Sequence, residues 1–283
     1  MATPIGNLAD LTLRAIHVLG LVDAVAAEDT RVAAQLLGHL GLHKPLVALH
    51  AHNEHAAAQL VLQRLAVGES VACVSDAGTP AVSDPGAVLV AAAHAAGHRV
   101  VPLPGPSSAL AALSVAGDAQ PGGFSFIGFL PARGGERRSQ LAAVLADPRA
   151  QVLFEAPHRI AELLQALAEA APQRRVTLCR ELTKQFETVA TRDAAALPAW
   201  LAEDSNRGRG EFVLVLHALP PSAADDTLPA DALRTLRVLL RELPLKQAVA
   251  LAAELSGTPR NALYQQALAD RAAAGDAAGD GAA

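Results

Sequence analysis

Short aliphatic runs that stop at glycine, proline or acidic residues alternate along this chain with longer Ala/Leu-rich stretches of helical period. That alternation constrains the fold more than any other feature, because strands separated by helices imply an α/β sheet with helices packed over it. The spacing predicts a helix over 11–20, a strand over 23–28, a helix over 31–40, a strand over 45–50, a helix over 52–66, and a strand over 70–80 running into a turn. Asp84-Pro85 reads as the start of the next helix, with Asp84 as N-cap and Pro85 at the first helical position. RVVPLPG at 99–105 reads as a strand, and Ser107 or Ser108 caps the helix after it. GDAQPGG at 117–123 is a hinge. A second block then brings strands FSFIGF, QVLFEA, RVTLCREL and EFVLVLHA with helices ERRSQLAAVLA and RIAELLQALAEA.

The expected architecture is therefore two α/β domains, 1–117 and 118–218, with a cleft between them. A linker over 219–230 leads to a small helical appendage over 231–271, and a tail over 272–283 too poor in apolar residues to stay ordered. Hydrophobic residues make up 51% of the 283 but aromatics only 3%, so the core must be aliphatic. A net charge of −5 argues against a long nucleic-acid track held by phosphate neutralisation alone, while leaving room for a local basic groove. Cys73 and Cys179 sit in apolar strand runs, as small buried hydrophobes of a reducing compartment do. With no leader and no run near the roughly 18 apolar residues of a membrane span, the expectation is a soluble, cytoplasmic protein without a membrane partner.

Three Gly/Pro-rich turns sit where strands end: Thr3-Pro4-Ile5-Gly6-Asn7, Ser75-Asp76-Ala77-Gly78-Thr79-Pro80 and Pro104-Gly105-Pro106-Ser107-Ser108. Ligands of open α/β sheets bind beyond the carboxyl ends of strands, and glycine lets backbone approach them closely. The turn before Ser108 also offers free N–H groups to an anionic group. The same turns could equally be no more than well-made strand exits. GxGxxG, GxxxxGK[ST], CxxC and HExxH are all missing, which disfavours a dinucleotide fold, a P-loop and the common zinc sites. His50, His52 and His55 lack a clear carboxylate partner and read as a solvated strand end, so no metal is expected. Polar residues gather past strand ends in both halves: Glu28, Asp29, Thr30, Arg31, His52, Asn53 and Glu54, then Glu155, His158, Arg159, Arg180, Glu181, Lys184 and Glu187. Singly these would be caps or surface ion pairs; lining one cleft, they would make an enzyme site.

TPIGNLADLTLRA, AEDTR, HNE, VSDAGTPAVSDPG, VPLPGPSSALAAL, GFLP, FEAPHR, RELTK and RGEFVLVL follow one another in a fixed order, and the likeness they carry spans Thr3 to about Leu268. In this the chain closely resembles the ribosomal small-subunit methyltransferase I family of the tetrapyrrole-methylase fold, whose members methylate the 2′-hydroxyl of a decoding-centre cytidine in 16S rRNA. SDAGTP with PGPSS marks the superfamily; AEDTR, HNE and RELTK mark the branch. The resemblance implies S-adenosylmethionine in the cleft, a homodimer, and 16S rRNA or the 30S subunit as partner, with no DNA. Carried over, Ile5, Gly6, Asp76, Ala77, Gly78, Thr79, Ser107 and Ser108 would touch the cofactor, and Phe154, Gly210, Glu211 and Phe212 would close its adenine side.

The C-terminal helices match the family's appendage, with Lys246, Arg260 and Tyr264 at or beyond the turn of a helix-turn-helix-like pair, either to grip RNA or to pack a domain or dimer. Glu155, Glu181 and Lys184 are the catalytic candidates, as a base or cation easing proton loss from a ribose hydroxyl. Glu28, Asp29, Thr30, Arg31, His52, Asn53, Glu54, His158, Arg159 and Arg180 are candidates for holding RNA. One departure stands out: only Met1 and Ala2 precede TPIGN, where the resemblance implies an apolar strand. Either the start codon lies further upstream or the sheet lacks a central strand, leaving backbone groups unpaired at about 1–3 kcal/mol each and lowering stability. The competing readings are a tetrapyrrole or protein side-chain methylase of the same fold, and a non-catalytic ribosome-assembly factor.

Overall fold

The computed structural model describes residues 1–120, 123–220 and 228–279. The chain divides into two compact units, Met1–Leu219 and Pro220–Ala283. The first unit opens with α1 (Leu13–Leu21), β1 (Ala24–Ala27), α2 (Thr30–His39), β2 (Leu46–Ala48), α3 (Glu54–Ala66), β3 (Val71–Val74), α4 (Ala87–Ala95) and α5 (Ser108–Ala116). Its sheet is parallel, in the order β2-β1-β3. Every residue of β1 is buried, which is why AVAA carries no polar alternation.

Two expectations for this half are corrected. The helix after Asp84 starts at Ala87 and is capped by Gly86 at φ 130, not by Asp84. The cause is the loop before it, where Ala81 and Ser83 both take positive φ and keep Asp84 out of the helical register. Residues 99–105 form no strand. Along the free side of β3, among the described residues, lie Met1–Thr3: the Met1 amine donates to Cys73 O at 2.7 Å, and Ala2 N reaches Leu103 O at 3.4 Å. A groove of about 770 Å³ with aliphatic walls, including Val71, Leu89 and Val101, runs beside that edge.

The rest of the unit contributes β4 (Phe124–Phe129), α6 (Gly134–Ala146), β5 (Ala150–Glu155), α7 (Ile160–Ala170), β6 (Arg175–Arg180), β7 (Thr188–Asp193), α8 (Leu197–Ala202) and β8 (Phe212–Leu216). The sheet order is β4-β5-β8-β6-β7. β8, last in sequence, takes the central position, antiparallel to both β5 and β6. Its residues alternate between two cores, as strand geometry requires. Leu214 and Leu216 pack with Leu163, Leu164 and Trp200 on one face. Val213 and Val215 pack on the other against Ala109 and Ala112 of α5. A helix from the first half thus covers the second sheet, and this joins the halves. β7 and α8 escape the sequence reading: β7 is a largely polar edge strand, and α8 spans only six residues.

The second unit comprises α9 (Ala230–Glu242), α10 (Leu245–Ser256) and α11 (Arg260–Gly279) around Leu236, Val249 and Leu263. Gly257 ends α10 in the left-handed conformation that glycine adopts without strain. α11 runs to Gly279, into the stretch from 272 expected to be disordered. Residues 280–283, and 221–227 of the expected linker, lie outside the described residues.

Leu214 is fully buried at the centre of the larger sheet. Leu214→Ala should lower unfolding free energy by about 2–5 kcal/mol in urea titrations.

Candidate active site

The three glycine-proline turns meet. Thr3 and Gly78 exchange backbone hydrogen bonds, N to O at 2.9 Å and 3.0 Å. The Thr3 hydroxyl donates to Ser75 O at 3.0 Å, and the Ser75 hydroxyl donates to Gly78 O at 2.7 Å. Thr79 carries the tie onward, its hydroxyl donating to Pro106 O at 3.1 Å. Gly78 holds φ 82, and a Cβ there would stand 3.5 Å from Ile5 Cγ2. The backbone angle favours glycine at that point, while the Ile5 contact would be an ordinary van der Waals one.

Between these turns and the ends of β5, β6 and β8 lies a cavity of about 310 Å³. Of the residues expected to touch a cofactor, Ile5, Ala77, Gly78, Thr79, Ser107, Ser108, Phe154, Glu211 and Phe212 line it. Gly6 and Asp76 instead line a neighbouring pocket of about 390 Å³, with Asn7, Gln35 and His39. Gly210 borders neither; at φ 92 it makes room for Glu181, whose Cδ would lie 2.6 Å from a Cβ. Phe154 stands edge-on to Phe126 at 5.1 Å and to Phe129 at 5.6 Å, forming an aromatic wall suited to a planar ring. Val82, Ser83, Asp84 and Pro157 also line the cavity and were missed in the sequence.

The three catalytic candidates are each held by neighbours. The Glu155 side chain is fully buried; Arg137 Nη2 meets Oε2 at 2.9 Å and Arg159 Nη2 meets Oε1 at 2.6 Å. The Ala156 N–H donates to Oε1 at 2.9 Å as well. Three donors on one carboxylate make Glu155 a positioning residue. Lys184 Nζ bridges Glu181 Oε1 at 3.0 Å and Glu211 Oε2 at 2.8 Å. Burial pulls the Lys184 ammonium down, but Glu211 and Glu181 together outweigh it, so it titrates above its ordinary value and stays charged. Burial likewise pushes the Glu181 carboxyl up, and the Glu211 N–H with Lys184 overcomes this, leaving it below the usual carboxylate value. Glu181 and Thr183 take φ 52 and 67, so this loop holds its shape against backbone preference.

The RNA candidates divide. Arg31, His52 and His158 are exposed. Asp29 caps α2 and pairs with Arg31 at 2.6 Å, and the side-chain hydrogen bonds from Arg31 hold its carboxyl down at about 2. The Asp29 N–H donates to Asp76 Oδ1 at 2.9 Å, joining the end of β1 to the second turn. Glu28 and Thr30 flank it, half-buried. Asn53 closes its own turn by accepting the His50 N–H at 2.8 Å, and Glu54 accepts the Gly86 N–H at 2.6 Å. Arg180 donates to Arg209 O at 2.6 Å and Phe186 O at 3.0 Å, bracing the 181–187 loop. In the helical unit Lys246 and Arg260 are exposed, and Tyr264 packs half-buried against the core. His50 and His52 lie beyond the end of β2, and among the described residues no cluster of His, Cys, Asp or Glu could hold a metal ion.

Residues 2–198 match the family described as Tetrapyrrole (Corrin/Porphyrin) Methylases, and 226–271 match the RsmI C-terminal HTH domain. The chain is 50% identical over 267 residues to ribosomal RNA small subunit methyltransferase I of Escherichia coli O157:H7, covering 94% of this chain and 92% of that one. It is 49% identical over 269 residues to the Pseudomonas aeruginosa protein of the same name, covering 95% of each. Among solved structures it resembles diphthine synthase, with TM-score 0.58 at 16% identity over 76% of this chain and 87% of that one. It also resembles a uroporphyrin-III C-methyl transferase from Thermus thermophilus complexed with S-adenyl homocysteine, with TM-score 0.51 at 19% identity over 74% and 92%.

Arg137→Met should cost about 1.5–3 kcal/mol, because it removes one of the two guanidiniums paired with a buried carboxylate while Arg159 stays in place. In urea titrations, Glu155→Gln added to Arg137→Met should recover part of that loss; strict additivity would show the pair to be uncoupled.

Proposed function

The chain belongs to the tetrapyrrole methylases and, within them, to the ribosomal RNA small subunit methyltransferase I family, and we propose on that premise that it methylates the ribose 2′-hydroxyl of a cytidine in 16S rRNA, using S-adenosylmethionine. The observation that carries the cofactor assignment is the convergence of the three turns on one cavity of about 310 Å³. That volume falls at the lower end of the roughly 300–1,000 Å³ range of small-molecule pockets. The cavity wall suits the ligand: glycine backbone at Gly78 for close approach, hydroxyls at Ser107 and Ser108 at the start of α5, and Phe154 for a flat ring. Ile5, Ala77, Gly78, Thr79, Ser107 and Ser108 would hold the cofactor from one side, and Phe154, Glu211 and Phe212 from the other. Gly6, Asp76 and Gly210 would act behind them, by shaping the turns.

Bound there, the cofactor supplies a methyl group activated by a sulfonium centre. The protein's part is mainly positioning, since an in-line displacement depends on alignment. Glu155 fixes the end of β5 through its two arginines. Lys184, charged and bridging Glu181 and Glu211, ties the 181–187 loop to the start of β8, where Glu211 lines the cavity. Arg31, His52 and His158 reach solvent and would meet RNA, as would Lys246, Arg260 and Tyr264 of the helical unit. No described helix is long and apolar enough to cross a membrane. We place the protein in the cytoplasm, as a homodimer acting on 16S rRNA or the 30S subunit.

Calorimetry should detect S-adenosylmethionine binding, and tritium-methyl transfer should label 16S rRNA in 30S subunits at a single cytidine ribose. Binding without transfer to 30S subunits or naked rRNA would sink the substrate assignment. Lys184→Ala should lower turnover about 10²-fold by loosening the Glu211 wall of the cavity.

A further inference from the structure

One carboxylate in the cavity wall has no task in this scheme. Asp84 lines the cavity with Ile5, Gly78 and Ser108. The groups acting on its charge are burial and two other carboxylates, Glu28 at the end of β1 and Asp76 in the second turn. Together they push its carboxyl up to about 6. Glu28 is itself raised, by burial first and then by Asp76, with His50 opposing. Among the described residues, no N–H and no cation is paired with Asp84. The Gly86 N–H, two residues on, is given to Glu54 instead. Its immediate neighbourhood is strained too, with Ala81 at φ 63 and Ser83 at φ 66. A half-buried, unpaired carboxylate on a strained loop is costly, and such groups concentrate where chemistry is done.

The other carboxylates lining the cavity are already engaged. Glu155 carries two guanidiniums and a backbone N–H, and Glu211 carries Lys184. We propose that Asp84 is the general base of the methyl transfer, accepting the proton of the ribose 2′-hydroxyl; this rests on the 2′-O-methylation assigned above. In that step the carboxylate takes the hydroxyl proton, and the oxygen's electron pair forms the bond to the methyl carbon. The carbon–sulfur bond breaks with its pair left on sulfur. The products are a ribose methyl ether, a neutral thioether and protonated Asp84. A carboxylate that titrates near neutrality is a stronger base than an ordinary one and is still ionised at pH 7.5.

The test compares wild type with Asp84→Asn and Asp84→Glu in single-turnover methyl transfer to 30S subunits between pH 5 and 9. The wild-type rate should climb as pH rises through about 6 and then level off. Asp84→Asn should lose about 10²-fold or more and the pH step with it, while Asp84→Glu keeps part of the rate. Two readouts do not depend on turnover. The cofactor Kd of Asp84→Asn by calorimetry should stay within about threefold of wild type, the scale on which lost positioning would show. Its Tm at pH 7.5 should be no lower than wild type's. An acid whose folded pKa is raised binds its proton more tightly when folded, so ionising it above pH 6 costs stability that Asn does not incur. An Asp84→Asn enzyme that is fully active, or that keeps the pH step, would overturn the assignment. So would a loss of rate matched by lost cofactor binding or a lowered Tm. If wild type itself labels no rRNA, the substrate reading falls and takes this proposal with it; an active wild type with an equally active Asp84→Asn overturns this proposal alone.

Discussion

The site depends on the backbone pair between Thr3 and Gly78. Those two hydrogen bonds hold the first turn against the second, and the hydroxyls of Thr3, Ser75 and Thr79 extend the tie to the third. Thr3 and Ser75 are almost wholly buried. Each such bond contributes only about 1 kcal/mol net, yet a buried group left unpaired costs about 1–3 kcal/mol. The arrangement is therefore close to all-or-none: loosening one turn orphans polar groups in the next. A pocket built from irregular backbone acquires in this way the rigidity that a sheet gives its own residues.

The two walls of the cavity differ in electrostatics. On the side of β5, β6 and β8, each carboxylate faces a cation: Glu155 faces Arg137 and Arg159, while Glu181 and Glu211 share Lys184. On the side of the turns, Asp84 and Glu28 stand near Asp76, and their carboxyls are pushed up rather than down. One wall is neutralised internally and the other is not. The chain's net charge of −5 said nothing about where that unneutralised wall would lie.

Local pattern was legible and long-range pairing was not. The turns could be read because glycine and proline announce their geometry within a few residues. β7 could not, because a polar edge strand shows little hydrophobic alternation, and 99–105 looked like a strand because β-branched runs do so whether or not a partner lies alongside. Glu155 drew attention as a strand-end carboxylate, but the partner that defines its role, Arg137, lies on α6, 18 residues earlier. Asp84 misled in the opposite direction. Asp-Pro is a strong helix-start signal, and only the positive φ values at Ala81 and Ser83 show that the chain declines it and turns the carboxylate toward the cavity.

The packing of α5 explains how such a cavity stays open without coming apart. Ala109, Ala112 and Ala116 of that helix lie against Val152, Cys179, Val213 and Val215 of the larger sheet. The Thr177 hydroxyl reaches Ala116 O at 3.3 Å. Small residues along α5 let its backbone come close to the sheet, so the helix that begins at the third turn also floors the second half. A hinge at 117–123, suggested by its glycines, would have to break this contact to swing the halves apart. That would expose several fully buried aliphatic side chains, each worth about 1.5–3 kcal/mol. Loops 79–86 and 181–187 line the cavity beside this fixed floor. These loops carry the strained residues, as segments that trade stability for placement at a reacting centre commonly do.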